Sequence, residues 1–198
     1  MSNQFLVLNL QIILLEQENI ALRYELERLR EISTRDRLTG LPNGRALSEA
    51  YEILTSELAR ARVSEATLVF IDLVGFKRVN DMLGHARGDA AICETASALQ
   101  ASARQSDTVA RLHEGGDEFV VLLPGASLDV AMHVVSRMQR AVRALRADGL
   151  ESDPSLEDVV LDLSFGLCHI THGNPPDLAS ALAIADREMY ASRGENIR

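Results

Sequence analysis

The chain has 198 residues, of which 46% are hydrophobic and 25% charged, with a formal net charge of -9 at pH 7. This length predicts one globular domain of about 100 to 150 residues with a short additional segment. The acidic balance argues against a broad basic surface, and therefore against binding of a nucleic-acid backbone or an anionic membrane. A bound phosphate would have to be met by local cations, and Lys77 is the only lysine in the chain.

Two cysteines and one apolar run indicate the cellular location of the protein. Cys93 and Cys168 lie in apolar periodic segments without metal-ligand spacing, which predicts reduced core residues of a cytoplasmic protein. The run from Phe5 to Leu15 is interrupted by Asn9 and Gln11. It is shorter than the about 20 residues that cross a bilayer and lacks the flanks of a signal peptide. We therefore expect no membrane span and a cytoplasmic location.

The N-terminal segment, residues 5–30, carries a heptad repeat with leucine at every d position and one asparagine among the a positions. The a residues are Phe5, Ile12, Asn19 and Leu26, and the d residues are Leu8, Leu15, Leu22 and Leu29. This pattern predicts a parallel two-stranded coiled coil, in which Glu18 would face Arg23 and Glu25 would face Arg30 of the second chain. The alternative is an amphipathic helix packed on its own domain.

Further apolar residues widen the stripe in the first half of this segment: Leu6, Val7, Leu10, Ile13 and Leu14. They could bind a partner protein or an upstream domain. We expect a coiled coil over residues 1–34 and a globular domain over residues 35–198.

The predicted elements of the globular part follow a junction at 33–37. They are a helix at 47–63, a strand at 66–73, helices at 76–83 and 88–104, strands at 108–112 and 119–123, a helix at 129–146, a polar loop through Pro154, a strand at 159–170 and a helix at 178–192. The hydrophobic periods and turn residues support these assignments. The order predicts an α/β layered domain, an α+β sandwich with a mostly antiparallel central sheet.

The first strand ends by presenting a carboxylate. Asp72 interrupts an apolar run, and Gly75, Phe76 and Lys77 follow it into a helix. Backbone amides at a helix start and an ammonium beside a carboxylate suit a triphosphate with its magnesium. A helix-capping aspartate with a surface lysine is the alternative.

The predicted hairpin between the next two strands carries adjacent acids at its tip. Gly115 and Gly116 precede Asp117 and Glu118, and glycines allow the backbone to approach a ligand closely. Asp72 and Asp117 could share hard cations, because Mg²⁺ held by carboxylates is a recurrent means of activating a hydroxyl and neutralising a phosphoryl group. Such turns also occur for conformational reasons alone.

These motifs resemble the GGDEF family of diguanylate cyclases from Asp36 to about Tyr190. The similarity includes the runs Asp36 to Asn43, Asp72 to Asp81 and Gly115 to Phe119, together with Gly84-His85, Gly88-Asp89, Ala185-Asp186 and Met189-Tyr190. The resemblance implies a nucleotidyl-cyclase-like palm, a homodimer through residues 5–30, and condensation of two GTP into cyclic di-GMP and two pyrophosphates. The alternative is a weak or inactive GGDEF module that binds GTP or cyclic di-GMP as a regulator.

The resemblance also implies roles for individual residues. Asp72, the Leu73 carbonyl and Asp117 would hold two Mg²⁺ or Mn²⁺ ions per active site. Glu118 would assist metal binding or base catalysis, and Phe76 N–H and Lys77 would hold phosphates.

Asn80 and Asp89 would recognise the guanine edge, whose N1–H and exocyclic amine form a donor pair that adenine lacks. Local helix capping is the alternative for both. Arg193 stands where the family has a second phosphate-binding lysine, and Arg104 with Asp107 fits the family's RxxD site for inhibition by the product. A solvated helix end with an opposite-charge pair is the alternative for RxxD.

The chain departs from the family pattern at several positions. Two residues are inserted between Arg111 and the Gly115 signature, Val74 replaces the second acid of the first metal motif, and Gly44 replaces a common arginine. The tail after Arg193 lacks the usual GRN ending. An even insertion keeps the alternation of strand faces, although it could displace Asp117.

Overall fold

The computed structural model describes residues 2–145 and 161–195, with two compact units, Met1–Arg35 and Asp36–Arg198. Four predicted features lie outside the described residues: the last residue of the helix predicted at 129–146, the loop through Pro154, the first two residues of the strand predicted at 159–170, and the side chain of Arg193. The same holds for the side chains of part of the predicted heptad, which are Phe5, Leu8, Ile12, Leu26, Leu29 and Arg30.

The first unit is one long helix, α1, over Ser2–Thr34. Leu15 and Leu22, at predicted d positions, are each 63% exposed, and Asn19 at an a position is exposed as well. A surface pair joins Glu25 Oε2 to Arg28 Nη1 at 3.7 Å. The described part of the predicted coiled-coil seam is therefore helical, and its a and d side chains are exposed to solvent. The dimer stays a prediction.

The second unit contains five helices and four strands among its described residues. They are α2 (Gly44–Ala59), β1 (Glu65–Val74), α3 (Phe76–Leu83), α4 (His85–Ala101), β2 (Thr108–Arg111), β3 (Glu118–Pro124), α5 (Leu128–Ala144), β4 (Asp162–Thr171) and α6 (Leu178–Glu195). The predicted α+β layered fold is confirmed.

The sheet has the strand order β2-β3-β1-β4, and every pairing in it is antiparallel. The predicted mostly antiparallel sheet is thus entirely antiparallel over the described strands. β1 lies in the interior between β3 and β4 and is buried over most of its length. This explains why its sequence is an apolar run rather than an alternating one.

Helices cover both faces of the sheet. Val69, Ile71 and Leu73 of β1 pack in one core with residues of α3, α4 and α5, whereas Leu68 and Phe70 pack in a second core with residues of α2 and α6. Successive strand residues point to opposite faces. Asp72 and Val74 therefore belong to the α2 and α6 face, beyond the apolar part of that core.

Helices α2 and α4 differ most from their predicted bounds, and capping residues determine where both of them begin. The helix predicted at 47–63 begins at Gly44, since the Asn43 side chain accepts hydrogen bonds from the amides of Arg45 and Ala46. It ends at Ala59, and Ala61 has a positive φ of 52°. The helix predicted at 88–104 is His85–Ala101, because Gly84, at φ 80°, both ends α3 and starts α4.

The predicted burial of the two cysteines is correct for one of them. Cys168 is buried, and burial raises the pKa of its thiol, with a further contribution from the Glu188 charge. Cys93 is only half-buried, and its Sγ donates to the Leu38 carbonyl at 3.4 Å. Cys93 lies near a surface loop rather than in the core, which corrects the prediction.

Candidate functional site

Three polar side chains form a row across the sheet at the end of β1. Asp72 is paired with Glu118 of β3 on one side and with Ser164 of β4 on the other. Residues directly opposite one another in antiparallel strands project from the same face. The fold thus brings Glu118 of the hairpin signature beside the carboxylate of the first motif, although the two are separated by 46 residues of sequence (118 − 72).

Arg111 holds the hairpin tip in place. Its Nε and Nη2 donate to the Gly116 carbonyl at 3.1 and 2.7 Å, and its Nη1 donates to Asp36 Oδ1 at 3.0 Å. Both charged side chains are 3% exposed. The Leu73 amide also donates to the Asp117 carbonyl at 3.3 Å. These bonds fix the backbone immediately before Asp117 and between Asp117 and Glu118.

Asp36, the partner of Arg111, accepts hydrogen bonds from several donors. Asp36 Oδ1 also accepts from Thr39 N at 2.9 Å and Thr39 Oγ1 at 2.7 Å. Burial raises the pKa of Asp36, but the Thr39 hydrogen bonds, with the hydrogen bond and charge of Arg111, outweigh it, so the net pKa lies below the usual value of 3.8. The run Asp36 to Asn43 therefore supplies a charged residue, Asp36, that holds the hairpin through Arg111.

A cavity of about 960 Å³ opens beside this row and collects most of the predicted metal and phosphate residues. Asp72, Leu73, Phe76, Lys77 and Asp117 all line it. Other elements complete the wall with Val74, Gly75, Arg78, Asp81, Gln139, Arg143, Asp162, Leu163, Ser164, Phe165 and Ser192. A volume of this size is in the range of small-molecule sites.

Helix α3 starts at the cavity wall. Gly75, with φ 88°, is its N-cap, and Asp72 lies three residues before it, near the end of β1. The left-handed φ favours glycine here. Amides of a first helical turn point out of its N-terminal end and attract anions, and Lys77 is exposed beside them.

Asn80 packs against the start of α4. A Cβ added to Gly88 would lie 1.9 Å from Asn80 Oδ1, so the amide occupies the space that any other residue at 88 would need. Asp89 follows Gly88 in the chain and is exposed. Gly84 caps α4 and Gly75 caps α3, so neither Asn80 nor Asp89 takes the N-cap position considered as an alternative. These two residues do not line the cavity.

The predicted inhibitory pair forms a tight turn before β2. Asp107 Oδ2 accepts from the Arg104 amide at 2.8 Å, and the Asp107 amide donates to the Arg104 carbonyl at 3.1 Å. The Arg104 side chain is exposed. The carboxylate is thus held by main chain, at a place separate from the cavity.

The two-residue insertion is taken up within the hairpin turn. Arg111 pairs with Phe119 in the β2-β3 ladder, the Leu112 amide donates to the Glu118 carbonyl at 3.0 Å, and Gly116 N donates to His113 O at 3.3 Å. The extra residues lengthen the turn, and Asp117 still lines the cavity.

Two parts of this site carry no signal in the sequence. Arg111 marks the position before the insertion, and the residues around it in the sequence do not indicate that it is buried. Arg143 and Asp162 form an ion pair in the cavity wall at 2.7 Å. Asp162 lies directly opposite Val74, and only the β1-β4 register shows this.

None of the described helices combines the length and apolar character needed to cross a bilayer.

Comparison with known proteins identifies the family. The family model "Diguanylate cyclase, GGDEF domain" matches residues 33–196. Diguanylate cyclase DgcP of Pseudomonas aeruginosa is 40% identical over 132 residues, 66% of this chain and 19% of that protein. Diguanylate cyclase TpbB of the same species is 35% identical over 184 residues, 90% of this chain and 38% of that protein. The chain therefore spans less than half the length of these curated relatives.

Solved structures agree with the fold of both units. A Caulobacter crescentus structure of the coiled coil and GGDEF domain of DgcB, in complex with c-di-GMP, has a TM-score of 0.77 and 25% identity, with 95% of each chain covered. Pseudomonas aeruginosa diguanylate cyclase SiaD, in complex with its activator SiaC, has a TM-score of 0.72 and 28% identity, covering 98% of this chain and 70% of that one. The chain belongs to the GGDEF-domain family of diguanylate cyclases.

Proposed function

We propose that the protein condenses two GTP into cyclic di-GMP and two pyrophosphates. The observation that carries the proposal is one cavity that contains Asp72, Asp117, Lys77 and the N-terminus of α3. Acids for a cation and donors for phosphate are the two requirements of phosphoryl transfer from a nucleotide. Since GTP is a nucleotide of the cytoplasm, we place the reaction there.

The acids of the cavity suit a hard cation. Two carboxylates, from Asp72 and Asp117, and the carbonyl of Leu73 are oxygen donors. Over the described ranges no cluster of three or more His, Cys, Asp or Glu side chains is placed to hold a metal. Mg²⁺ is commonly bound by one or two carboxylates together with substrate phosphates, so this donor set fits Mg²⁺ or Mn²⁺, two per site. When bound, such ions would neutralise the triphosphate and activate the attacking 3′-hydroxyl.

The remaining roles follow from position. Lys77 and the Phe76 amide would bind phosphates at the start of α3, and Glu118, beside Asp72, would assist proton removal from the 3′-hydroxyl. The Asp89 carboxylate would accept hydrogen bonds from N1–H and the exocyclic amine of guanine, and Asn80 would contact the same edge. Arg193, on α6, would add a second phosphate contact.

Replacing Gly88 with alanine tests the guanine contact. The new Cβ would displace the Asn80 amide, so we expect GTP affinity to fall by about tenfold, the value of one to two hydrogen bonds. Because alanine is the better helix former, by about 1 kcal/mol, the free energy of unfolding should not fall with it. Titration calorimetry with GTP and thermal denaturation measure the two effects.

Asn80→Ala provides the matched comparison for the Gly88 variant and should lose a similar share of GTP affinity. Unchanged GTP affinity in Gly88→Ala, or an equal loss with ATP, would contradict the assignment of Asn80.

Dimerisation through α1 would bring two GTP-bound sites together. Leucines at the d positions, with Asn19 at an a position, are the arrangement of a parallel two-stranded coiled coil. The DgcB structure to which this chain is similar is described as containing a coiled coil. A tether of this kind raises the effective concentration of one site at the other.

Introducing Leu15→Glu and Leu22→Glu tests this dimer. The two charges would face each other at the seam, so we expect a monomer in analytical ultracentrifugation and a loss of turnover of about a hundredfold, with GTP binding nearly unchanged. Ile13→Glu with Ile20→Glu, at exposed b positions, is the matched control and should leave the dimer intact. Equal loss of turnover and GTP binding in the leucine variant would count against a role for dimerisation in turnover.

Product inhibition at Arg104 and Asp107 is part of the proposal. The exposed guanidinium would bind a phosphate of cyclic di-GMP, and Asp107, already oriented by its bond to the Arg104 amide, would accept from guanine. The turn lies apart from the cavity, as a feedback site requires.

A second candidate is a GGDEF module that binds nucleotide without turnover and signals through a partner protein. Val74, 43% exposed in the cavity wall, replaces an acid and favours this candidate. Ile13, Leu14 and Ile20 of α1 are exposed and would suit a partner. SiaD, to which the chain is similar, is complexed with its activator.

Incubation with GTP and Mg²⁺ decides between the two candidates. Cyclic di-GMP identified by mass, absent from an Asp117→Ala, Glu118→Ala variant, would support the enzyme. Nucleotide binding without product would support the regulatory module.

A further inference from the structure

An ion pair in the cavity wall has no role in the site described so far. Arg143 Nε and Nη2 donate to Asp162 Oδ1 and Oδ2 at 3.0 and 2.7 Å. Both residues line the cavity that also holds Asp72, Lys77 and Asp117. The pair is therefore next to the groups proposed to bind the triphosphate.

The guanidinium keeps donors for a ligand. Arginine has five N–H donors, and a bidentate carboxylate uses one on each of two nitrogens. The Arg143 side chain is 55% exposed and that of Asp162 is 28% exposed. Asp162 thus fixes the plane of the guanidinium while leaving the other edge accessible, which lowers the entropy cost of binding an anion.

Rigid elements hold the pair. Arg143 lies in the last turn of α5 and Asp162 at the first position of β4, the edge strand. Four residues before Arg143, Gln139 Nε2 donates to the Leu163 carbonyl at 3.0 Å and ties the same helix to the same strand. Asp162 is opposite Val74, so β4 places it at the end of β1 that carries Asp72.

The charged residues of the cavity wall are compatible with a contact between Arg143 and a phosphate. Its described lining carries the acids Asp72, Asp81, Asp117 and Asp162 and the cations Lys77, Arg78 and Arg143. A triphosphate beside these acids needs cations besides any bound metal. Lys77 supplies one such cation from α3. Arg143 approaches from α5 and β4, whereas the proposed guanine contacts are on α3 and α4, so it would meet the end of the nucleotide away from the base.

We propose that Arg143, oriented by Asp162, is a substrate-binding residue that contacts the terminal phosphates of the nucleoside triphosphate. Asp162 is a positioning residue that acts through Arg143. The proposal rests on the proposed function in so far as the cavity takes GTP, but it requires only binding and no turnover.

Titration calorimetry with the 198-residue chain, Mg²⁺ and either GTP or GMP tests this contact. Arg143→Ala should weaken GTP binding by about tenfold and leave GMP binding unchanged, because GMP lacks the terminal phosphates. Asp162→Ala should shift the same ratio in the same direction, and Arg143→Lys should recover part of it. Arg140→Ala, at an exposed position of α5 outside the cavity wall, is the matched control and should leave both affinities unchanged.

Other outcomes would overturn the proposal. If the pair only ties α5 to β4, Arg143→Ala will lower the melting temperature and leave the ratio of GTP to GMP affinity as in the unmodified protein. An equal ratio change in Arg140→Ala would overturn it as well. Unmodified protein that binds GTP without forming cyclic di-GMP would refute only the proposed function, and protein that does not bind GTP would refute both.

Discussion

Asp72→Asn is expected to lower the rate of cyclic di-GMP formation by about a thousandfold. Asparagine keeps the shape of the side chain and removes its charge, and Val74 offers no second carboxylate on this face of β1. A bound cation contributes several kcal/mol to the stabilisation of transition-state charge, and each 1.4 kcal/mol changes a rate by about tenfold. Initial rates at saturating GTP and Mg²⁺, with product separated by chromatography, measure the effect.

Glu65→Gln is the control for Asp72→Asn. Glu65 is an acid at the other end of the same strand, paired with His169 at 2.8 Å and outside the cavity wall. Its replacement should leave the rate of cyclic di-GMP formation within about twofold of that of the unmodified protein, because a surface ion pair remote from the site contributes little. An Asp72→Asn variant that keeps more than a tenth of the activity would show that Asp72 does not hold the reacting centre.

Arg111→Ala is expected to lower the free energy of unfolding by about 3–5 kcal/mol. Removing one partner of a buried ion pair leaves the other charge uncompensated, and Asp36 is as buried as Arg111. The Gly116 carbonyl also loses both of its bonds from the guanidinium. Because the hairpin tip carries Asp117, cyclase activity should fall as well. Chemical denaturation followed by circular dichroism measures the stability change.

Arg137→Ala is the matched control for Arg111→Ala. Arg137 also donates two hydrogen bonds to one backbone carbonyl, that of Ser102, at 3.2 and 2.6 Å, but it has an exposed position and is not paired with a buried acid. A loss of about 1 kcal/mol is expected. Equal losses in both variants would mean that the buried charge of Asp36 contributes nothing beyond the hydrogen bonds.

The pH dependence of stability should distinguish the same two variants. The pKa of Asp36 is lowered in the folded protein, so its contribution is complete above the unfolded value of about 3.8 and is lost as the pH falls through the lower folded value. Without Arg111, burial still raises the pKa of Asp36, and protonation at acid pH relieves the uncompensated charge. The difference in the free energy of unfolding between unmodified protein and Arg111→Ala should therefore become smaller below about pH 4. The same difference for Arg137→Ala should not.

Several features of the fold were predictable from local chemistry. The bounds of α3, Phe76–Leu83, match the prediction because glycines stand at both ends of a short amphipathic segment. β1 was recognisable because an interior strand is apolar throughout. Helices α2 and α4 each began three residues earlier than predicted, since apolar periodicity does not show the capping residues Asn43 and Gly84.

The family, the acidic strand end and the hairpin signature could be recognised from short runs of residues with special backbone or charge. Which distant residues meet, by contrast, depends on how the chain folds. Antiparallel register puts Glu118 beside Asp72 and Asp162 opposite Val74, and packing buries Arg111 with Asp36. A register is a property of two strands and a buried pair of two segments, so no single stretch of sequence contains either.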